Sequence, residues 1–351
     1  MTSLPSAQVG SASGRAAEFI DVYGYRVEMR GSPPEAVENL AADFEHFRCP
    51  PGKAATLVEL VEQSPPYDAV PPLRASVYTP RNVSFREGAR TYVDYSGRGL
   101  AVHDRSAGSL QIYSLDADLL YEAAYLFLLS QIAEFLDARR LHRVHALGIG
   151  VSGRAALVLL PMGGGKSTLG AELLKYPEVK LLSDDSPWVD HEGRVYAFPL
   201  RLGLLPGDEG SIPESELRRI NRMEFGPKVL VSYRYFAERV CPRAQPGALF
   251  LGSRSLARHC EIQPASRTAA LRGLITNCVV GLGLFHGLEF LLHRSPAELA
   301  AKAGVACSRL RASLRLVRRS KCFHLTLGRD TQENGRALVE FLRRVFPAAG
   351  A

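Results

Sequence analysis

The chain predicts a sheet-based α/β domain rich in hairpins, preceded by a smaller α+β region. Three observations predict it. The apolar run AALVLL, residues 155–160, passes through three glycines directly into the helical pattern STLGAELL. Strand-like runs on either side are joined by the compact turns GVSGR and DHEG, not by helices. The N-terminal third alternates like strands in FIDVYGYRVEMRG and TYVDYSGRGLAVHD, each broken by a glycine turn.

In chain order, residues 1–16 are small and polar with no apolar signal-peptide region, and are expected to form a disordered tail. Residues 17–115 read as the α+β region. Within it PPEAVENLAADFEHF predicts a short helix, with Pro at its start and acids in its first turn. Proline clusters in RCPPGK, SPPYDAVPPLR and TPRN mark loops. A long helix follows in DADLLYEAAYLFLLSQIAEFLDARRLH, with Asp116 or Asp118 as N-cap and Arg139 and Arg140 at the C-terminal dipole. The domain boundary is placed just before it, giving a second domain over 116–347. That domain holds the RVHALGIGVSGRAALVLLP hairpin, a buried strand ending in KLLSDD, a hairpin around DHEG, a strand KCFHLTLG and a helix NGRALVEFLRRVF.

Composition narrows the class. With 46% hydrophobic and 23% charged residues the chain is ordinary globular protein. Its two most apolar stretches, LLYEAAYLFLLSQIAEFL and LITNCVVGLGLFHGLEFLL, carry polar and acidic groups that a span of about 20 residues would exclude. Both predict buried helices and no membrane association. Six scattered cysteines form no CxxC pair and predict free thiols in a cytoplasmic protein. The net charge of +7 is concentrated in KAGVACSRLRASLRLVRRSK. Ala303, Cys307, Leu310, Leu314 and Val317 predict the apolar face of a helix there, and Arg311, Arg315 and Arg318 a second face that is either solvated or docks an acidic partner. No aromatic residues interleave with the arginines, so nucleic acid is not the expected partner. A homo-oligomer is left open.

The glycine run carries the chemistry. A phosphate-binding loop needs small residues whose N–H groups converge, a helix that begins there, a Lys for the β- and γ-phosphates and a hydroxyl for Mg²⁺. Gly163, Gly164 and Gly165 supply the loop, and Lys166, Ser167 and Thr168 open the helix. The first glycine of the full G-x-x-x-x-G-K-[ST] pattern is replaced by Leu160, with Pro161 beside it to fix the turn. Asp184 and Asp185 end the next buried strand, 18 and 19 residues beyond Lys166. Adjacent carboxylates can divide metal binding from proton abstraction. His145, in RVHALGIG, is read on the strand before the loop, where it can orient an aspartate.

Together these residues resemble the C-terminal domain of the HPr kinase/phosphorylase family, over roughly Leu119 to Pro347 and most specifically from His145 to about Leu204. In that family a strand His precedes the phosphate loop, the loop ends in GKS, and an apolar strand delivers an Asp-Asp pair. The resemblance implies the mixed P-loop sheet shared with phosphoenolpyruvate carboxykinases, and an ATP- and Mg²⁺-dependent serine kinase. It implies that Gly163 to Ser167 hold the β/γ-phosphates and that Ser167 binds the metal. It further implies that Asp184 is the general base, that His145 supports it and that Asp185 lies near the metal. The chain departs from bifunctional members in carrying Thr168 where they have an acidic residue, and RLGLLPGDEG only echoes their later signature. The GKST form is closer to the HPr-kinase-like enzymes that phosphorylate a serine on a ribosomally made peptide. The expected partner is therefore a peptide or small protein, with the N-terminal region as its binding module. Arg201, Lys228, Arg234 and Arg239 are candidates to steady the transferring phosphoryl group. Two alternatives stay open on the residues alone: a small-molecule kinase on the same scaffold, and a nucleotide-binding regulatory module without transfer.

Overall fold

The computed structural model describes residues 17–210, 212–222, 226–280 and 296–347. The expected N-terminal tail, and residues 281–292 of the second apolar stretch, lie outside them. Over the described residues the protein is mixed α/β with several mixed sheets. It divides into two compact units, and the division falls inside one helix, between Ile132 and Ala133.

The first unit is built on eight strands: β1 (Glu18–Val22), β2 (Tyr25–Gly31), β3 (Thr56–Glu62), β4 (Ala75–Tyr78), β5 (Val83–Glu87), β6 (Arg90–Asp94), β7 (Gly99–Asp104) and β8 (Ser109–Ser114). They lie in the order β1-β2-β3-β8-β7-β6-β5-β4, parallel at β2–β3 and β3–β8 and antiparallel elsewhere. Alternation sets the faces: in β2, Tyr25, Val27 and Met29 are buried while Arg26, Glu28 and Arg30 are not. The predicted short helix is α1 (Pro34–Asp43), which buries Ala36, Val37, Leu40 and Ala41 and packs on β1 and β2. The predicted long helix is α2 (Ala117–Ala138). Asp116 caps it, its Oδ1 accepting the Leu119 N–H at 3.1 Å. Among the described residues α2 alone is long and apolar enough to cross a membrane, and 67% of its most apolar window is buried inside the protein. The last two residues of the predicted helix, Leu141 and His142, are instead in a strand.

That strand, β9 (Leu141–Arg143), opens the sheet of the second unit. With it run β10 (Leu147–Val151), β11 (Arg154–Leu159), β12 (Lys180–Ser183), β13 (Trp188–Asp190) and β14 (Val195–Tyr196). A separate small sheet contains β15 (Leu202–Leu204), β16 (Leu217–Arg222) and β17 (Gly226–Val231). The main sheet is completed by β18 (Arg243–Arg254), β19 (Glu261–Pro264) and β20 (Lys321–Leu327), in the order β12-β10-β11-β18-β14-β13-β9, with β20 on β18 and β19 on β20. The hairpin β10–β11 turns on Ser152 and Gly153, at φ 49° and 72°. Both central residues are left-handed, which is the turn that matches strand twist. By contrast β11–β18 and β18–β20 are parallel, so the C-terminal ends of three strands face one way.

Successive residues of β11, and Leu160 just after it, serve two cores. Ala156, Val158 and Leu160 belong to one cluster, with Leu169 and Leu173 of α3 (Lys166–Leu173) and Leu338, Val339 and Leu342. Ala155, Leu157 and Leu159 belong to the other, with Ala270, Leu274, Ala312 and Leu316. The remaining helices are α4 (Tyr233–Phe236), α5 (Arg267–Leu274), α6 (Pro296–Arg319) and α7 (Thr331–Val345), and a π-turn, Ile275–Val280, continues α5.

The basic run is helical, as predicted, but its buried face is rotated. Ala312, Ser313, Leu316 and Val317 are buried, Leu310 and Leu314 are half-buried, and Ala303 and Cys307 are exposed. The cause is Arg309, which turns inward to bond both carboxylate oxygens of buried Asp137. A buried carboxylate demands a charged partner, and this demand outweighs the apolar periodicity. Arg311, Arg315 and Arg318 remain exposed on the outer face.

Candidate active site

The register of the second sheet assembles the site. β11 runs out at Leu159, and the chain turns through Gly163 (φ 72°) and Gly165 (φ 92°) into α3. Both glycines sit in the left-handed region, where a side chain costs about 1–2 kcal/mol. Gly164 is needed for a different reason: a Cβ there would stand 2.9 Å from the Pro161 carbonyl oxygen. The first helical bond is from Leu169 N–H to the Gly165 carbonyl, so no backbone acceptor meets the N–H groups of Lys166, Ser167 and Thr168 among the described residues. Three free donors and the positive end of the helix dipole therefore open at the end of β11.

Lys166 is only 7% exposed and folds back over its own loop. Its Nζ donates to the carbonyls of Leu160 at 2.9 Å and Pro161 at 3.2 Å, and lies 3.9 Å from Asp185 Oδ1. Burial lowers its pKa, against the opposing pull of Asp185 and Asp184.

β10 lies between the loop strand and the strand that carries the aspartates. Leu147 faces Val158 in β11 and Gly148 faces Ser183 in β12. Carrying the two pairings past their last bonded residues sets His145 opposite Leu160, at the loop start, and the next residue, Ala146, opposite Asp185. His145 lies in the bend just before β10, not on the strand itself. Its backbone N–H bonds to the Asn277 carbonyl, and the next N–H, of Ala146, bonds to the Asp185 carbonyl. Its ring is buried, with Nε2 3.2 Å from Asp185 Oδ1. Asp185 Oδ2 accepts the Ser186 hydroxyl at 3.1 Å.

Asp184 is buried and turns the other way. The Ser167 hydroxyl points at its Oδ2, 3.4 Å away. The contacts thus pair Asp184 with the hydroxyl of Ser167, and Asp185 with the histidine and the lysine. A hydroxyl and a carboxylate side by side suit Mg²⁺, which prefers oxygen ligands and keeps several waters or phosphate oxygens. No group of three or more His, Cys, Asp or Glu gathers into a metal cage among the described residues. Thr168, expected at the loop, donates to Asp208 at 3.1 Å.

A cavity of about 460 Å³ opens beside the loop, lined among others by His145, Leu160, Pro161, Met162, Thr276 and Asn277. The sequence gives no sign of it, because its far wall is the π-turn after α5. The candidate phosphate-steadying cations do not line it. Arg201 is half-buried in the connection before β15, Lys228 is on β17 within the first compact unit, and Arg234 is exposed on α4. Arg239 bonds to the carbonyls of Leu174 and Tyr176, and so holds the end of α3. Sequence reasoning passed over Arg254, at the end of β18, whose guanidinium lies 3.7 Å from where a Cβ on Gly165 would stand. Only the parallel register of β11 and β18 brings it there.

In comparison with known proteins, no family model matches the chain and no curated protein matches it.

Proposed function

We propose that the second unit is an ATP-dependent kinase that transfers the γ-phosphoryl group to a hydroxyl, with a serine of a peptide or small protein as acceptor. The observation that carries this reading is the convergence of Lys166, Ser167, Asp184, Asp185 and His145 at one end of the sheet. The reading also accords with the resemblance to HPr-kinase-like enzymes.

On this reading the N–H groups of Lys166 to Thr168 and the Lys166 ammonium bind the β- and γ-phosphates. Ser167 and Asp184 would hold Mg²⁺, which shields phosphate charge. Asp185 takes the proton from the acceptor hydroxyl as the new O–P bond forms and the γ-phosphorus–oxygen bond to ADP breaks. His145 holds Asp185 in position. The contacts favour this division over the reverse one that the resemblance implies, since His145 touches Asp185 and Ser167 touches Asp184. The cavity suits the acceptor. It adjoins Leu160 and Pro161, whose carbonyls hold the Lys166 ammonium, and His145, which holds the base. Among the described residues its walls carry no Lys, Arg, Asp or Glu side chain, which fits a hydroxyl flanked by peptide amides better than a zwitterionic amino acid.

Calorimetric titration with Mg·ATP tests the reading. The native protein is expected to bind, and Lys166→Ala to bind at least tenfold more weakly. Equal binding by both would remove the loop from the account.

A further inference from the structure

We infer that Arg254 is the residue that recognises the terminal phosphate, and so selects a nucleoside triphosphate over a diphosphate. The inference rests on the reading of the loop as a phosphate site, and adds to it a residue that no sequence motif marks.

The geometry derives from strand lengths. β11 and β18 are parallel, with Leu159 beside Leu251. β11 ends there, and its chain bends away into the loop. β18 continues for three more residues, held in register by β20 as far as the pairing of Arg254 with Leu327. Three residues of strand are about 10 Å. Gly252 sits against the start of the loop, where a Cβ would meet the Leu160 side chain at 2.5 Å. Arg254 therefore overshoots the loop start and reaches Gly165, the residue that precedes the lysine.

Its chemistry suits that place. Arg254 is exposed, and its side chain has no hydrogen-bond or ion-pair partner among the described residues. Neighbouring Arg258 is tied to Asp330 at 3.5 Å. Lys166 approaches the loop from within, through the carbonyls of Leu160 and Pro161, whereas Arg254 approaches Gly165 from the adjoining strand. Two cations at one loop can grip the β–γ end of a triphosphate together. A planar guanidinium adds two parallel hydrogen bonds to phosphate oxygens, which an ammonium cannot reproduce. A diphosphate lacks the group that Arg254 would hold.

The test measures binding of Mg·ATP and Mg·ADP by calorimetry, and ADP release from Mg·ATP, for the native chain, Arg254→Ala and Arg254→Lys. Because Arg254 is exposed, both variants are expected to fold, and unfolding curves matching the native chain verify this. Arg254→Ala is expected to bind ATP about tenfold more weakly, to bind ADP within twofold of native, and to turn over about 100-fold more slowly. Arg254→Lys is expected to fall between. Equal loss of ATP and ADP affinity, or no loss of either, would overturn the inference while leaving the loop reading intact. A native chain that binds neither nucleotide would overturn the loop reading, and the role of Arg254 with it.

Discussion

His145 Nε2 lies 3.2 Å from Asp185 Oδ1, although the two residues are 40 positions apart in the chain. The antiparallel register of β10 and β12 brings them together, and the same strand places His145 opposite the start of the glycine loop. On the kinase reading this contact fixes the carboxylate that accepts the proton. Replacing His145 with Ala is expected to lower kcat roughly tenfold or more while leaving the affinity for Mg·ATP within twofold. Steady-state rates and calorimetry on the same preparations check the split.

The two aspartates are expected to fail differently. Asp184→Asn, beside the Ser167 hydroxyl, should weaken Mg²⁺ dependence and be rescued in part by raised Mg²⁺. Asp185→Asn should retain Mg·ATP binding and lose about 100-fold or more in transfer, with no rescue by Mg²⁺. A magnesium titration of each variant separates the roles, and the opposite pattern would restore the division implied by the family resemblance.

Lys166 stands at odds with stability. Burial lowers its pKa, so the folded chain binds this proton less tightly than the unfolded one. The folded-state pKa is depressed, so its charge opposes folding below that value. The penalty is relieved as pH rises from the folded value toward the unfolded one. Lys166→Met is expected to raise Tm by about 2 °C or more near neutral pH while abolishing nucleotide binding. Thermal unfolding from pH 7 to 10 should show the gap between native and variant narrowing as pH rises.

Asp137 anchors a second buried network, in which His142 Nδ1 lies 2.7 Å from its Oδ1 and the Ser308 hydroxyl 2.8 Å from His142 Nε2. Burial pushes the Asp137 carboxyl up, but hydrogen bonds from His142 and Arg309 outweigh it and hold it below the usual range. Its contribution to stability is therefore present above the unfolded carboxylate pKa and lost as pH falls through the lower folded value. Asp137→Asn is expected to cost about 3 kcal/mol at pH 7, and Ser308→Ala about 1 kcal/mol. Urea unfolding at pH 7 and near pH 3 should show the Asp137→Asn difference shrinking in acid.

The six thiols are free and unequal. Burial pushes Cys241, Cys260 and Cys278 up to about 11, whereas Cys307 is exposed on α6. Maleimide labelling of the native chain followed by mass analysis is expected to modify Cys307 first and Cys278 only after unfolding.

Much of the frame was legible because it is written locally. Gly153 in its turn, Asp116 at its cap and the run from Ala155 to Lys166 each declare an element within a few residues. What escaped is set by pairing at a distance. Nothing in the run around Arg309 marks it as the partner of Asp137, 172 positions earlier. Arg254 reads as surface until β18 is laid beside β11. The choice between Asp184 and Asp185 depends on which way each side chain leaves the end of β12, and adjacent identical residues cannot announce that.

The central claim is best tested by phosphoryl transfer from γ-labelled ATP with Mg²⁺ in an extract of the source organism. Native protein and Asp185→Asn are run side by side, and polypeptides are separated from small molecules. The account predicts label on a serine of a peptide or small protein with native protein only. Label confined to a small molecule, equal labelling by the variant, or no transfer by a native protein that binds Mg·ATP would contradict it.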